Sequence, residues 1–288
     1  MSEDGRYAIV VIAMIGNPFS PSYARARANG ESPSAMTYSA MNVAVYGPNG
    51  DHFSLTERAI MARDTDASAM AIGPNRMRWD GGDLVLELDE RSAPWPTPIR
   101  GTVRLHPECE TAPAQILDAK AEHHWWPVAP SSTIEVELSA PNVRFRGHGY
   151  HDANAGDVPL EDSFSRWRWS RTRVGPFTSA IMYDTVDLEG GEHHLSIDID
   201  REGVVRPVEM PELRDLPTTR WRLPRSTRSA GAVRVLRELE DTPFYARALL
   251  ASRDHDGREL VTVHEELSCD RLRRAWVRFL LGFRMGRA

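Results

Sequence analysis

The chain has 288 residues, 41% hydrophobic and 26% charged, enough to bury one large core or two smaller ones. Its formal net charge of -6 argues against a general polyanion binder, and no basic face with interleaved aromatics marks a nucleic-acid site. Two cysteines, Cys109 and Cys269, make no disulfide framework.

In chain order, the opening MSEDGRY is acidic-leaning, and the apolar run at 8–16 that follows lacks the small-residue cleavage pattern of a secretory signal and is too short to span a bilayer. Residues 7–15 are rich in Val and Ile and stop at Gly16-Asn17-Pro18, which predicts a buried, central strand closed by a turn. Residues 23–29 predict a short helix between Pro21 and Gly30. Residues 38–46 (YSAMNVAVY) predict a second strand, and the Asn49-Gly50 pair behind it signals a hairpin. In the FSLTERA that follows, Glu57 and Arg58 read either as a surface pair or as polar ends turned inward. Short strands at 75–79, 84–88 and 99–105 are divided by Gly81-Gly82-Asp83 and by the proline-rich 93–98. This spacing predicts an antiparallel all-β, barrel-like architecture with little room for crossover helices.

Residues 133–138 (TIEVEL) alternate apolar and acidic positions, and 143–145 lead into GHGYHDANAG at 147–156. HHWWPVAP (123–130) precedes this motif and FSRWRWSR (164–171) follows it. Large aromatic rings on both sides favour a core or pocket over a mobile linker. The motif reads as a glycine-bracketed loop that supplies polar groups, His148 to Asn154, to a largely apolar cavity. It is no phosphate loop, since GxGxxG fails and no Lys follows. Beyond it, 163–170 is extended with Trp167 and Trp169 on one face, and 177–185 and 194–199 follow as strands. Their order weakly echoes the N-terminal third and favours a second unit from about Leu160. The interval 207–228 reads as irregular with one short strand at 221–223, before strands at 233–238, 245–250 and 259–265. Residues 270–283 predict a helix that groups Leu272, Trp276, Phe279 and Leu280, with a membrane-surface role as a secondary reading.

Chemistry narrows the field. Histidines 123, 124, 148, 151, 193 and 194 are numerous, yet no HExxH or CxxC defines a three-ligand set, so no metal is expected. GxSxG is absent as well. Asp152 stands apart, beside His151 and Tyr150. Buried against rings, it would keep its proton toward neutral pH, up from an ordinary value of about 3.9. Equally, it caps a turn or pairs with Arg144 or Arg171, and the aromatic residues simply pack. An aromatic cage around an acid has one specific use, which is to make and shelter a carbocation, each ring face contributing about 0.5–2 kcal/mol.

The stretches IAMIGNPFSPSYARAR, MNVAVYGPNG, FSLTER, HHWWPVAP, GHGYHDANAG, PLEDSFSRWRWSR, LEDTPFYARALL and HEELSCDRLRRAWVRFLLGFRM together resemble the carotenoid 1,2-hydratases, also called hydroxyneurosporene synthases, over most of the chain. The resemblance implies tandem lipocalin-like antiparallel β-barrels, at 1–159 and 160–288. It implies a hydro-lyase that adds water, without a cofactor, to the terminal C1,2 double bond of acyclic carotenoids such as neurosporene or lycopene, giving 1-hydroxy carotenoids. Asp152 is then the acid, with Tyr150, His151 and Trp126 in the catalytic set. Trp125, Asn154, Trp167, Trp169 and Glu57 hold the substrate and its water; the family's preceding tryptophan maps to Trp125 or Trp126. The implied partners are a long acyclic carotenoid, water and a bilayer surface, with no nucleic acid, for a cytoplasmic enzyme peripheral to the inner membrane. Two departures stand out. The family carries a tryptophan-containing lead-in before the SEDGRY-like turn, so either the first strand of the first barrel is missing or the natural start lies upstream. Ala155 also replaces a bulkier aromatic, which widens the expected pocket. Two other readings use the same residues: a lipocalin-like isoprenoid binding or transfer protein, and a cyclase of the tocopherol-cyclase type.

Overall fold

The computed structural model describes residues 1–60, 65–66, 68–253 and 257–287. The strands are, in chain order, β1 (Ala8–Met14), β2 (Ser39–Tyr46), β3 (His52–Arg58), β4 (Ala69–Ile72), β5 (Asn75–Asp80), β6 (Asp83–Arg91), β7 (Pro98–Pro107), β8 (Gln115–Ile116), β9 (His123–Ala140) and β10 (Val143–Gly156). There follow β11 (Phe164–Arg173), β12 (Ser179–Asp187), β13 (Glu192–Ile199), β14 (Val205–Pro207), β15 (Leu213–Leu216), β16 (Arg225–Arg228), β17 (Arg234–Asp241), β18 (Tyr245–Arg253), β19 (Glu259–Ser268) and β20 (Gly286–Arg287). The α-helices are α1 (Pro21–Ala28), α2 (Leu160–Ser163), α3 (Cys269–Leu272) and α4 (Ala275–Arg284). Two compact units interleave along the chain. Met1–Pro107, Ser132–Tyr150 and Arg278–Ala288 make the first, and Glu108–Ser131 with His151–Val277 makes the second.

In the first unit a sheet of order β1-β2-β3-β20 is built on the wholly buried β2. Its small and β-branched side chains pack on both faces, while β1, expected to be central, ends the sheet beside β2 among the described residues and is half-buried. The Asn49-Gly50 signal is met: β2 and β3 pair as an antiparallel hairpin, and Gly50 takes the left-handed conformation at φ 118°. Helix α1 starts where Ser20 Oγ accepts from the Tyr23 N–H at 3.1 Å, with Pro21 at its first turn. Glu57 and Arg58 turn inward rather than to the surface. Arg58 pairs with Glu90, which is 2% exposed and also accepts from Asn75 Nδ2 at 2.7 Å, Thr56 Oγ1 at 2.8 Å and Ser54 Oγ at 3.1 Å. Four donors offset the cost of burying that carboxylate.

The second unit is organised on a seven-stranded antiparallel sheet of order β14-β13-β12-β11-β19-β18-β17. Alternation along β11 sorts its side chains onto two faces. Arg168, Ser170 and Thr172 align with Asp184, Met182 and Ala180 of β12, whereas Trp167, Trp169 and Arg171 align with Thr185, Tyr183 and Ile181. The β15–β16 hairpin lies over the first face, where Leu216 packs on Ala248 and Leu250. That hairpin replaces the strand expected at 221–223, which is a turn. Proline at 217 and 224 confines pairing to the segments outside them, and buried Arg225 is held by Glu238 and the Pro217 carbonyl.

β-Strands dominate as the spacing predicts, but the expected tandem lipocalin-like barrels are not found: among the described residues no sheet closes on itself or curls strongly. Closure requires the two outermost strands to pair along their length. In the second unit one of these, β14, has three residues and ends at Pro207, which has no N–H to offer. The other, β17, is broken by register shifts at Val235/Arg237 and Glu238/Glu240. The GHGYHDANAG motif is likewise no loop, because it makes up the last ten of the 14 residues of strand β10. Its glycines permit close approach rather than turning. A Cβ at Gly156 would come within 2.6 Å of His123 Cδ2.

Candidate active site

Within the second unit, the aromatic face of the sheet meets the ends of β9 and β10. Alternation points Trp125 inward, fully buried, and its neighbour Trp126 outward at 47% exposure. The Trp125 indole Nε1–H donates to Asp152 Oδ2 at 2.7 Å. Two residues further along β10, Asn154 Oδ1 accepts from the Tyr183 hydroxyl at 3.2 Å. The Tyr183 ring stands at the centre of the group, 5.9 Å from the Trp125 ring and 5.8 Å, edge-on, from that of Trp167. Trp169 lies directly across from Tyr183 in the β11–β12 register and is buried. Asp152 therefore sits against indole and phenol rings with one oxygen anchored.

Electrostatics follow from burial. The Tyr183 phenol is pushed well above its ordinary value of 10.0, first by burial and then by the nearby negative charges of Asp152 and Glu265, so it stays a donor. His151 is lowered to about 4 by burial and is neutral near pH 7. By alternation it lies on the face of β10 opposite Asp152 and Asn154. His123 takes another role: its Nδ1 meets Asp118 Oδ2 at 3.0 Å and its ring packs 4.7 Å from that of Phe164.

The structure thus brings together Asp152, Asn154, Trp125, Trp167 and Trp169. Trp126 stands apart on the outer face, where its Nε1–H donates to the Ala112 carbonyl at 2.9 Å. Tyr150 and Glu57 belong to the first unit, Tyr150 on β10 and Glu57 buried on β3 opposite Ala40. Arg144 pairs with Glu137, and Arg171 donates to the Pro130 carbonyl and to Ser179 Oγ. Cavities of about 510 Å³, beside Arg58 and Glu90, and about 380 Å³, beside Ser170 and Thr262, have no Asp152 in their linings. Among the described residues no cluster of three or more His, Cys, Asp or Glu side chains is placed to hold a metal.

Tyr183 is the residue that reading the sequence missed. Its segment, FTSAIMYDT, registers only as an apolar strand, and nothing local shows that the register sets it between three tryptophans. The opposite face of the same sheet was equally hidden. There Arg168 lies between Asp184 and Glu266, each at 3.5 Å, and His264 Nδ1 meets Ser170 Oγ at 2.9 Å. Burial raises Glu266 to about 7 and lowers His264 to about 3.

The family of carotenoid hydratases, CrtC, matches residues 11–288. This chain belongs to that family. It is 40% identical over 290 residues to the acyclic carotenoid 1,2-hydratase of Thiocapsa roseopersicina, covering 100% of this chain and 71% of that protein. The acyclic carotenoid 1,2-hydratase of Rhodobacter capsulatus is 34% identical over 281 residues, covering 96% of this chain and 97% of the relative. In fold the chain is similar to the crystal structure of a protein from Nitrosomonas europaea assigned as AttH, with a TM-score of 0.55 at 10% identity over 80% of this chain and 81% of that one. A carotenoid hydratase must protonate an alkene and hold the cation that results.

Proposed function

We propose that Asp152, anchored by Trp125, is the acid of an acyclic carotenoid 1,2-hydratase. The enzyme is a hydro-lyase acting on an acyclic carotenoid and water, and family membership along nearly the whole chain carries that assignment. The residue roles rest on the 2.7 Å hydrogen bond from the Trp125 indole to Asp152. In a neutral carboxylic acid the accepting oxygen is the carbonyl oxygen, so with Oδ2 engaged the proton resides on Oδ1. That proton passes to C2 of the terminal isoprene unit and leaves a tertiary cation at C1. The π faces of Trp125, Trp167 and Tyr183 stabilise the cation by about 0.5–2 kcal/mol each. Water attacks C1, the C1–O bond forms, and the oxonium returns its proton to the Asp152 carboxylate, so the acid is regenerated and one water is gained. Asn154, which accepts from the Tyr183 hydroxyl, holds the water on this reading. The indole N–H is worth more to the carboxylate than to the acid, so it favours the cation-forming step over the resting state.

The same apolar substrate implies contact with a bilayer, in which a long polyene is dissolved. The reading is tested by incubating the purified chain with lycopene or neurosporene without oxygen and measuring product mass. The expected product has gained one water, and Asp152→Asn removes turnover while leaving the fold intact. A product of unchanged mass would signal cyclisation, and an untouched ligand would signal binding alone. Full turnover by the Asp152→Asn enzyme would eliminate Asp152 as the acid.

A further inference from the structure

Helix α4, Ala275–Arg284, buries only a thin stripe. Val277 and Leu281 are 1% and 6% exposed, while Trp276, Phe279 and Phe283 are 45%, 66% and 74% exposed. With Leu280, these last residues recur at helical spacing and form one outward face. Aromatic side chains of this size are rarely left in water without a partner. Phe279 and Phe283 pack edge to face at 4.9 Å, so the face is ordered rather than splayed.

A second apolar group extends it. Trp221, 47% exposed, stacks on Trp276 with ring centroids 6.4 Å apart. The turn that carries Trp221 is fixed by Arg271, whose guanidinium donates to the Trp221 carbonyl at 3.0 Å and to the Arg222 carbonyl at 2.7 Å. Arginine is abundant in this stretch of sequence. Residues 269–288 contain six arginines and a single acidic residue, Asp270, in a chain whose net charge is -6. Arg273 and Arg274 are exposed, and α4 itself carries no acid.

We propose that the outer face of α4, with Trp221, docks the protein on an anionic bilayer surface. The inference rests on the carotenoid hydratase reading, because it supplies the reason to visit a bilayer, and it adds the element that makes the contact. Charge complementarity selects the occupant. Aromatic rings seat at the headgroup boundary while arginines pair with lipid phosphates, which is the composition of an interfacial helix. A second copy of the chain is the wrong shape of partner in charge, since a symmetric contact would set two arginine clusters against each other. No helix among the described residues is long and apolar enough to cross a membrane, so contact through α4 is interfacial.

The test uses the full chain and phosphatidylcholine vesicles with or without an anionic phospholipid, followed by sedimentation. The native protein binds the anionic vesicles far better than the neutral ones and is released by salt. The Phe279→Ser, Phe283→Ser double variant binds at least about tenfold more weakly, because two large insertable rings are lost. Hydration of lycopene embedded in vesicles falls in step, while hydration of detergent-dispersed lycopene is kept. Quenching of native tryptophan fluorescence by brominated lipid, lost in Trp276→Ser, reports insertion without relying on the double variant. Undiminished vesicle binding by the variant overturns the proposal, as does a concentration-dependent dimer abolished by the same substitutions with no vesicle binding. If the native chain binds vesicles yet hydrates lycopene in neither format, the hydratase reading fails and docking stands. If it hydrates lycopene in detergent and never binds vesicles, docking fails alone.

Discussion

Replacing Trp125 by Phe separates the hydrogen bond to Asp152 from the ring that carries it. The substitution keeps an aromatic side chain in the fully buried site and removes the 2.7 Å donor to Oδ2. A hydrogen bond to a neutral acid contributes about 0.5–1.5 kcal/mol, and one to a charged acceptor about 1.5–3 kcal/mol. Asp152 is neutral before proton transfer and a carboxylate after it, so the donor favours the transition state by the difference, about 1–1.5 kcal/mol. That corresponds to a loss of about tenfold in kcat, with little change in KM. Direction in pH follows from the same bond. The indole favours the charged form, so its removal lets the acid keep its proton to higher pH, and the alkaline limb of the pH–rate profile moves upward. The assay is initial-rate hydration of detergent-dispersed lycopene across pH, beside circular dichroism to show that the sheet persists. An unchanged kcat with an unchanged alkaline limb would refute the proposed anchoring. A large loss with an unmoved limb would assign Trp125 to packing instead.

Three further outcomes follow. Tyr183→Phe keeps the central ring and removes the hydroxyl that donates to Asn154 at 3.2 Å, so kcat should fall several-fold, by about 0.5–1.5 kcal/mol, and Tyr183→Phe should lose no more when added to Asn154→Ala. His264, lowered to about 3 by burial from an ordinary 6.5, is neutral in the folded state and takes up a proton once unfolded. Stability present above 6.5 is therefore lost as pH falls toward 3, and thermal melts of His264→Gln should show a shallower decline across that window. Glu266, raised to about 7, acts in the opposite sense: its contribution is present below its ordinary 4.5 and lost as pH rises through 7, so it must be left intact in that comparison. Gly156→Ala would bring a Cβ to 2.6 Å of His123, which is held by Asp118, and should cost about 1–3 kcal/mol in denaturant unfolding.

Local signals carried much of the secondary structure. The Asn49-Gly50 pair needs no partner beyond its own turn to specify the β2–β3 hairpin, and Pro21 with Ser20 sets the start of α1. Alternation was sufficient to put Trp167 and Trp169 on one face of β11. What could not be read was which strands end a sheet. Closure depends on β14 and β17 finding each other, and neither a three-residue strand nor a pair of register shifts is visible as hydropathy. GHGYHDANAG misleads for a related reason. Glycine and Asn usually mark turns, but here glycine admits His123 against the strand. The choice between Trp125 and Trp126 was equally closed to inspection, because adjacent strand residues always point to opposite faces and only the register decides which is inside.

That same rule explains how one sheet holds two incompatible environments. Along β11 the sequence Arg168-Trp169-Ser170-Arg171-Thr172 alternates in a way that places Arg168 with Asp184 and Glu266 on one side and Trp169 beside Tyr183 on the other. On the proposed mechanism, a cation generated on the aromatic side, where Glu265 is held by Arg247 at 2.7 Å, is separated by the thickness of the sheet from Asp184 and Glu266. Those carboxylates are in turn compensated locally: Asp184 meets Arg228 at 3.1 Å, Arg168 at 3.5 Å and His194 at 2.7 Å. Substituting Arg168 would leave Asp184 to Arg228 and His194 and Glu266 to Arg166 at 3.3 Å, and the penalty would fall first on folding of the second unit, where both carboxylates are buried. Asp152 is tied to the other side of the sheet by the 2.7 Å hydrogen bond from the Trp125 indole, away from that ionic layer.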